Sequence, residues 1–407
     1  MNLPAIPFIK LGFAKSMLTL LLAASLVGCG GSSGDSAPAP SPTQSPEPTP
    51  QAPQYSMPAA KADDWQVASA VELGMDVTVL EQLMENINNN SFGFRNMDGV
   101  LIVKNNQLIF ERQLRNQLDI TDGWADNQNL DIHAVHSVTK SIMSAAIGIA
   151  IERGEIGSVD DLALSYFSDY LPLANDSQSK QQMTIENWLT MQHGLQWNEW
   201  DVNYLDDANQ NGQMIDAADP MRFLLDLPSV AQPATDYAYS TGISFALGRI
   251  ISRTSGQRFY DYVQQHLLTP MNIQQHDAWF MRNDVHAGSA LYLTMRGMAK
   301  FGQMYLDGGQ WLGQQIVPAN WVALSIEEHV SQDNIRYGYQ WWLNTFTSDG
   351  VDYEAFYANG WGGQFILVIP QLNSVVVLTG RRYQDGQSEQ TSVRMMLEDY
   401  IIPFLVN

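Results

Sequence analysis

A serine and a lysine three residues apart stand at the head of a long apolar run: Ser137-Val138-Thr139-Lys140, then Ile142-Met143-Ser144-Ala145-Ala146-Ile147-Gly148-Ile149-Ala150. The run predicts a helix with no polar face to offer to water, and such a helix belongs inside a fold. Helix positions three apart share one face, with Cβ atoms roughly 5–6 Å apart, so the amine reaches the hydroxyl. A lysine at its reference pKa of about 10.4 is protonated and accepts nothing, but burial depresses an amine by as much as roughly 3–5 units. The pair therefore reads either as an ordinary helix start, with serine near the N-terminus, or as a nucleophile beside its base.

Spacing alone does not decide, because the chain holds a second Ser-x-x-Lys at Ser177-Gln178-Ser179-Lys180. That copy lies in Asn175-Asp176-Ser177-Gln178-Ser179-Lys180-Gln181-Gln182, a polar stretch with no apolar face to bury an amine, and it reads as a solvated loop. Context separates the two.

The chain has 407 residues, but its start does not read as fold. Lys10 and Lys15 precede an apolar stretch from Met17 to Val27, the pattern of a secretory signal and too short to span a bilayer. Cys29, the single cysteine, follows Leu26-Val27-Gly28 where a bacterial lipoprotein signal puts the residue that is lipidated. Gly30, not an acid, comes next and favours the outer membrane. Residues 1–28 are expected to be a lipoprotein signal peptide and 29–62 a Pro/Ser/Gly-rich tether, too poor in large apolar groups to fold. The folded part is then 63–407, facing the periplasm from a lipid anchor. Gly30-Gly31-Ser32-Ser33-Gly34 matches the nucleophile elbow Gly-x-Ser-x-Gly letter for letter, but no strand precedes it and no helix follows.

The 43 acidic residues outnumber 21 basic ones, a formal net charge of −22, and removal of the leader makes the chain more acidic still. Nucleic acid is an unsuitable partner for such a surface. Without cysteine in the folded part there are no disulfides.

Apolar spacing predicts a helix over 80–87. Gly99-Val100-Leu101-Ile102-Val103 and Gln107-Leu108-Ile109-Phe110-Glu111 flank Lys104-Asn105-Asn106 as a β-hairpin. From about 134 to 330 the chain reads as helical and loopy. Strands return at 338–342, 364–369 and 374–379, the last two around a Pro370-to-Asn373 turn, and an amphipathic helix covers about 391–404. The fold class is α+β: one antiparallel sheet closed by the two ends of the chain, flanked by helices, with an inserted helical subdomain.

Two more segments carry chemistry. Tyr237-Ala238-Tyr239-Ser240-Thr241-Gly242 precedes a plain apolar helix, where Tyr239 either packs or relays protons beside a serine. Ala358-Asn359-Gly360-Trp361-Gly362-Gly363-Gln364 runs into a predicted strand; it is either a glycine-rich turn or a place where backbone N–H groups meet a developing oxyanion.

In this order the three segments resemble the serine hydrolases of the β-lactamase and penicillin-binding-protein superfamily, above all the class C β-lactamase-like branch with its esterases and nylon-oligomer (6-aminohexanoate-dimer) hydrolases. Ser137 and Lys140 match the first motif of that family, Tyr239 with Thr241 the second, and Asn359-Gly360-Trp361 the third. The framing text agrees: Arg153-Gly154-Glu155-Ile156-Gly157, Met183 to Met191 before His193-Gly194-Leu195, and Arg253-Thr254-Ser255-Gly256. The resemblance covers roughly residues 65 to 405. It implies that Ser137 attacks a carbonyl, that Lys140 and Tyr239 move its proton to the leaving group, and that the N–H groups of Ser137 and Trp361 hold the oxyanion, with Gly360, Asn359 and Thr241 toward substrate. No metal or cofactor is needed, and the seven histidines show no ligand spacing. His136, next to the nucleophile, is expected to be structural.

Two departures bear on substrate. Thr241 stands where β-lactamases and peptidases usually carry asparagine, and Ala358 where they carry the lysine or histidine that, with its neighbouring hydroxyl, binds the substrate carboxylate. Arg381 and Arg382 are candidate substitutes. The departures favour an ester or amide as the small-molecule substrate. The alternatives are a β-lactamase or D-alanyl-D-alanine carboxypeptidase, and a non-catalytic binding or scaffold lipoprotein. Trp197 to Tyr204, with Trp341 and Trp342, are candidate walls of an aromatic cleft.

Overall fold

The structure, a computed structural model, describes residues 54–383 and 389–406. The expected signal peptide, the site at Cys29 and most of the expected tether lie outside the described residues.

The main sheet is built from β1 (Gln66–Val67), β2 (Met97–Lys104) and β3 (Gln107–Gln113) of the N-terminal part. Its other six strands come from the C-terminal part: β4 (Val330–Gln332), β5 (Ile335–Tyr337), β6 (Trp342–Ser348), β7 (Val351–Gly360), β8 (Gln364–Ile369) and β9 (Ser374–Gly380). Their order is β1-β3-β2-β9-β8-β7-β6-β5-β4, antiparallel except for β1 beside β3. The two ends of the chain meet where β2 pairs with β9, so the termini close the sheet as the sequence predicts.

Strands β8 and β9 are buried along their whole length because helices cover both faces. Ile366, Val368, Val375 and Val377 face a layer containing α2 (Val138–Glu152), α3 (Thr241–Ser255) and α4 (Met295–Leu306). The alternate residues Phe365, Leu367, Val376 and Leu378 face α1 (Thr78–Asn88) and the helical C-terminus from 389 to 406. Alternation with period two thus feeds two separate cores from one strand. Helix α4 lies close on the sheet: a Cβ at Gly302 would stand 2.7 Å from both Ile366 and Val375.

Helix α1 buries Leu80, Leu83, Met84 and Ile87, the residues whose spacing predicted it. The β2–β3 hairpin turns at Asn105 and Asn106, both with positive φ (50° and 61°), which asparagine tolerates better than most residues. Three expectations need correction. The predicted strand at 338–342 is the crossing between β5 and β6: Gln340 has φ +65°, so the ladder breaks there, and its buried amide instead bonds Trp188 O and Leu189 O. The middle of the chain, expected to be helical and loopy with few convincing strands, carries short ones that sequence reading did not place: Leu291–Thr294 and His276–Ala278 join Ile132–Ala134 in a second small sheet. And Ser177–Lys180 is not a solvated loop. It opens the short helix Gln178–Gln181, and the Lys180 amine is buried, bonded to Leu225 O (2.7 Å) and Leu227 O (2.6 Å). The sequence window held no apolar face because the burying surface comes from Leu225 and Leu227, some 45 residues downstream.

Candidate active site

The small sheet delivers the chain to the head of α2. Strand Ile132–Ala134 pairs with Leu291–Thr294, and Val135 N–H donates to Leu291 O at 2.9 Å. His136 then takes φ +47°, a left-handed conformation that costs a non-glycine residue free energy and is held by its surroundings. Its ring supplies that hold: it is buried among Trp124, Trp361 and Tyr383, with Nε2 3.3 Å from the Tyr383 hydroxyl. Burial pushes the imidazole down to about 4. His136 is thus part of the packing around the head of α2.

The turn leaves Ser137 with φ −66° and ψ −7°, already helical, so its hydroxyl does not cap α2. Instead Oγ lies 2.9 Å from Lys140 Nζ, at a half-buried position. Lys140 is 1% exposed, on a helix whose every residue from Val138 to Ala150 is buried. Burial brings the amine down to about 7, with the Glu199 carboxylate opposing the shift. Nζ has two further partners, Gly288 O at 2.8 Å and Thr241 Oγ1 at 2.9 Å.

The partners limit which hydrogen bonds the amine can make. A carbonyl only accepts. The Thr241 hydroxyl spends its single hydrogen on Glu199 Oε1, 2.6 Å away, so toward Lys140 it too only accepts. A neutral amine has two N–H groups and one lone pair. With both N–H groups taken by Gly288 and Thr241, the lone pair is left for the Ser137 hydroxyl. In its neutral form the amine can therefore accept a hydrogen from that hydroxyl.

Glu199 is 1% exposed and accepts four hydrogen bonds: from Thr241 N–H and Trp197 Nε1–H on Oε2, and from Thr241 Oγ1–H and the Tyr204 hydroxyl on Oε1, all at 2.6–2.7 Å. Sequence reading missed it, placing it only within a stretch of aromatic residues. The available signal was a carboxylate two residues from one tryptophan and next to another. Thr241 is likewise displaced from its expected place toward substrate: 2% exposed, it stands behind the amine.

Tyr239 precedes α3, whose N-cap is Ser240, with Oγ accepting from Ile243 N–H. Lys140 Nζ lies 4.9 Å from the centroid of the Tyr239 ring, close enough for a cation–π contact when the amine is charged. The ring is stacked on Trp200 (5.0 Å) and Trp342 (5.8 Å). Beside it opens a cleft of about 220 Å³ whose walls include Trp197, Trp200, Tyr237, Tyr239, Asp333 and Ile335, with no lysine, arginine or histidine in its lining. Trp200 is 53% exposed, so an aromatic face remains open there. Trp341 does not join it: it is buried in the core against Phe301, Tyr305 and Phe356.

Asn359 and Gly360 end β7, and Gly360 is required by close approach: a Cβ there would stand 2.2 Å from Val135 O. The end of β7 is thereby pressed against the segment that presents Ser137. Trp361 follows, half-buried, its ring against His136 (5.4 Å), Tyr383 (4.5 Å) and Tyr204 (5.4 Å). Asn359 Oδ1 is buried without a hydrogen-bond partner. Ala358 is 1% exposed and puts no side chain of any reach into the cleft. Arg381 is committed to Asp98 at 3.2 Å, and Arg382 is buried. The structure thus gathers Ser137, Lys140, Tyr239 and Thr241 into one cluster with Glu199, and sets Gly360 and Trp361 along the edge of the segment that carries Ser137.

The beta-lactamase family profile matches residues 95–395, from before β2 to the C-terminal helix. The chain belongs to the beta-lactamase family. It is a serine hydrolase of the β-lactamase and transpeptidase superfamily. Among curated relatives, the 6-aminohexanoate-dimer hydrolase of Paenarthrobacter ureafaciens is 24% identical over 272 residues, 61% of this chain and 65% of that protein's length. Among solved structures, EstCE1, described as a hydrolase with promiscuous acyltransferase activity, superposes with a TM-score of 0.61 at 12% identity, covering 78% of this chain and 97% of that one. The octameric penicillin-binding protein homologue of Pyrococcus abyssi gives 0.60 at 17% identity, covering 79% and 77%. At such identities the structural likeness establishes the fold of this beta-lactamase-family protein. The site geometry bears on its chemistry.

Proposed function

We propose that this beta-lactamase-family protein cleaves an ester or amide through an acyl-enzyme on Ser137. The observation that carries the reading is the set of partners on Lys140: two groups that only accept, Thr241 Oγ1 and Gly288 O, and Ser137 Oγ at 2.9 Å, around an amine lowered to about 7, whose neutral form leaves its lone pair for the Ser137 hydroxyl. Lys140 takes the Ser137 proton as Oγ attacks the carbonyl carbon. The N–H groups of Ser137 and Trp361 stabilise the oxyanion, and Lys140 with Tyr239 returns the proton to the leaving oxygen or nitrogen. Water then opens the Ser137 ester by the same proton path in reverse, with no cofactor drawn upon.

The substrate class is argued from Ala358, which stands where penicillin-directed relatives carry a cation, together with the aromatic cleft beside Tyr239. Among the described residues, the aromatic cleft beside Tyr239 has no cation in its lining, and Arg381 is paired with Asp98. That disfavours a penicillin and favours an ester or short amide; one relative is a 6-aminohexanoate-dimer hydrolase. In the same proposal Cys29 carries a lipid, residues 29–62 act as a tether, and the enzyme works from the outer membrane toward the periplasm.

The test uses the protein without residues 1–28, beside Ser137→Ala. Each is treated with a fluorophosphonate probe, fluorescent penicillin and short-chain nitrophenyl esters, and the modified residue is located by peptide mass. Probe on Ser137 with ester turnover and no penicillin adduct is the expected result. A stable penicillin adduct moves the assignment to a penicillin-recognising enzyme, and failure of every reagent to modify Ser137 overturns the mechanism.

A further inference from the structure

We infer that Glu199 is a positioning residue for the reaction: through the Thr241 hydroxyl it fixes the direction of the Lys140 lone pair. The inference rests on the assignment of Lys140 as base. Glu199 does not touch the amine; it touches the one group beside the amine that is free to choose its role.

A threonine hydroxyl either donates or accepts along a given direction, according to where its hydrogen points. If Thr241 donated to Lys140, its hydrogen would occupy the nitrogen lone pair, and an N–H would turn to Ser137. The amine would then donate to the nucleophile instead of accepting from it. Glu199 Oε1, 2.6 Å from Thr241 Oγ1, draws that hydrogen away and leaves only lone pairs facing Nζ. Gly288 O holds the second N–H in either case. The chain is therefore carboxylate, hydroxyl, amine, nucleophile, each link at hydrogen-bond distance: 2.6, 2.9 and 2.9 Å.

Glu199 is itself held rigidly. Its four partners are all donors, from Trp197, Tyr204 and two atoms of Thr241, so neither oxygen has a reason to turn. Its charge has a second effect. The titratable groups that interact with Lys140 are Glu199, the Tyr239 ring, His136 and His286. Burial pushes both histidines down, to about 4 and about 3, so neither adds positive charge. Glu199 is the charged neighbour that supports the ammonium form and offsets burial. Without it the amine loses its proton at lower pH.

Positioning and charge therefore predict opposite effects of one substitution, which a purely structural role does not. In Glu199→Gln the acid limb of Ser137 labelling by the fluorophosphonate moves to lower pH, by about one unit if labelling at a fixed acidic pH relative to its plateau rises about tenfold. The plateau itself falls, because a carboxamide cannot accept from all four donors and the Thr241 hydrogen is no longer held. Thr241→Val, which removes the intermediate hydroxyl with little change of shape, lowers the plateau by about tenfold or more, the loss of one hydrogen bond to a charged group. Thr241→Ser keeps the hydroxyl and restores labelling to near the unsubstituted rate.

An unshifted limb in folded Glu199→Gln, or equal loss in Thr241→Val and Thr241→Ser, overturns the inference. Where Glu199→Gln fails to fold by circular dichroism, the Thr241 pair carries the test. Absence of labelling in the unsubstituted protein is a different failure, that of Ser137 as nucleophile, and is visible before any variant is made.

Discussion

The two Ser-x-x-Lys segments have the same spacing and both lysines are buried, yet they do opposite things with their polar groups. Ser177 has φ −154° and ψ 158°, so its side chain folds back over the next turn and accepts from Lys180 N–H at 3.2 Å. Ser137 enters its helix already in helical dihedrals and caps nothing. The Lys180 amine reaches away from its serine to the last carbonyls around helix Pro220–Leu225 and so closes that helix's C-terminus. The Lys140 amine turns back to its serine because its other two directions are filled by acceptors from Thr241 and Gly288. A motif read as spacing cannot tell these apart. The dihedral of the serine and the acceptors around the amine decide it.

That comparison is most exposed to failure at Lys140. Lys140→Met keeps length and loses the base, and labelling of Ser137 is expected to fall by about 10²–10⁴-fold, the range of a general base, while the far-ultraviolet spectrum is unchanged. Labelling within a few-fold of the unsubstituted rate would mean that the two lysines do not differ as described. Next in size is pH. Below about 7 the Lys140 amine is protonated and its lone pair is lost, so the labelling rate drops about tenfold per unit, reaching about 100-fold at pH 5 relative to the plateau above 8. A flat profile from pH 5 to 8 would remove Lys140 as the titrating base. Lys180→Met is expected to leave rate and profile alone and to lower stability by about 1–3 kcal/mol in urea unfolding, as two carbonyls lose a charged donor.

The sequence was legible where the pattern was local. The β2–β3 hairpin, β8, β9, helix α1 and the terminal helix all follow from period-two or helical spacing over a single stretch. Ser137, Lys140, Tyr239 and Trp361 were singled out as one set only by their resemblance, in order, to the motifs of a known superfamily; periodicity alone left each of them open. What stayed hidden depends on contacts between distant segments. The burial of Lys180 needs Leu225 and Leu227, the strand predicted at 338–342 is broken by a left-handed Gln340 bonded to Trp188 and Leu189, and Glu199 gains a role only when α3 brings Thr241 beside it. Spacing within one segment holds no information about any of these. Gly360 lies between the two cases: a glycine entering a strand signals close approach, but only the fold shows that Val135 O is what approaches.

The smallest effect gives the cleanest contrast, because it applies one substitution to both serines. Ser177→Ala removes an N-cap and a bond to Ser229, and is expected to cost about 0.5–2 kcal/mol of stability with the labelling rate of Ser137 unchanged. Ser137→Ala removes a hydroxyl that caps nothing. Its stability change should be smaller, since the Lys140 amine loses one partner and keeps Thr241 and Gly288, while labelling disappears. Urea unfolding of the two variants side by side, with fluorophosphonate labelling on the same samples, reads both axes. If Ser137→Ala proved the more destabilising, its hydroxyl would be acting as a helix cap after all, and the ordinary helix start would describe Ser137 as it describes Ser177.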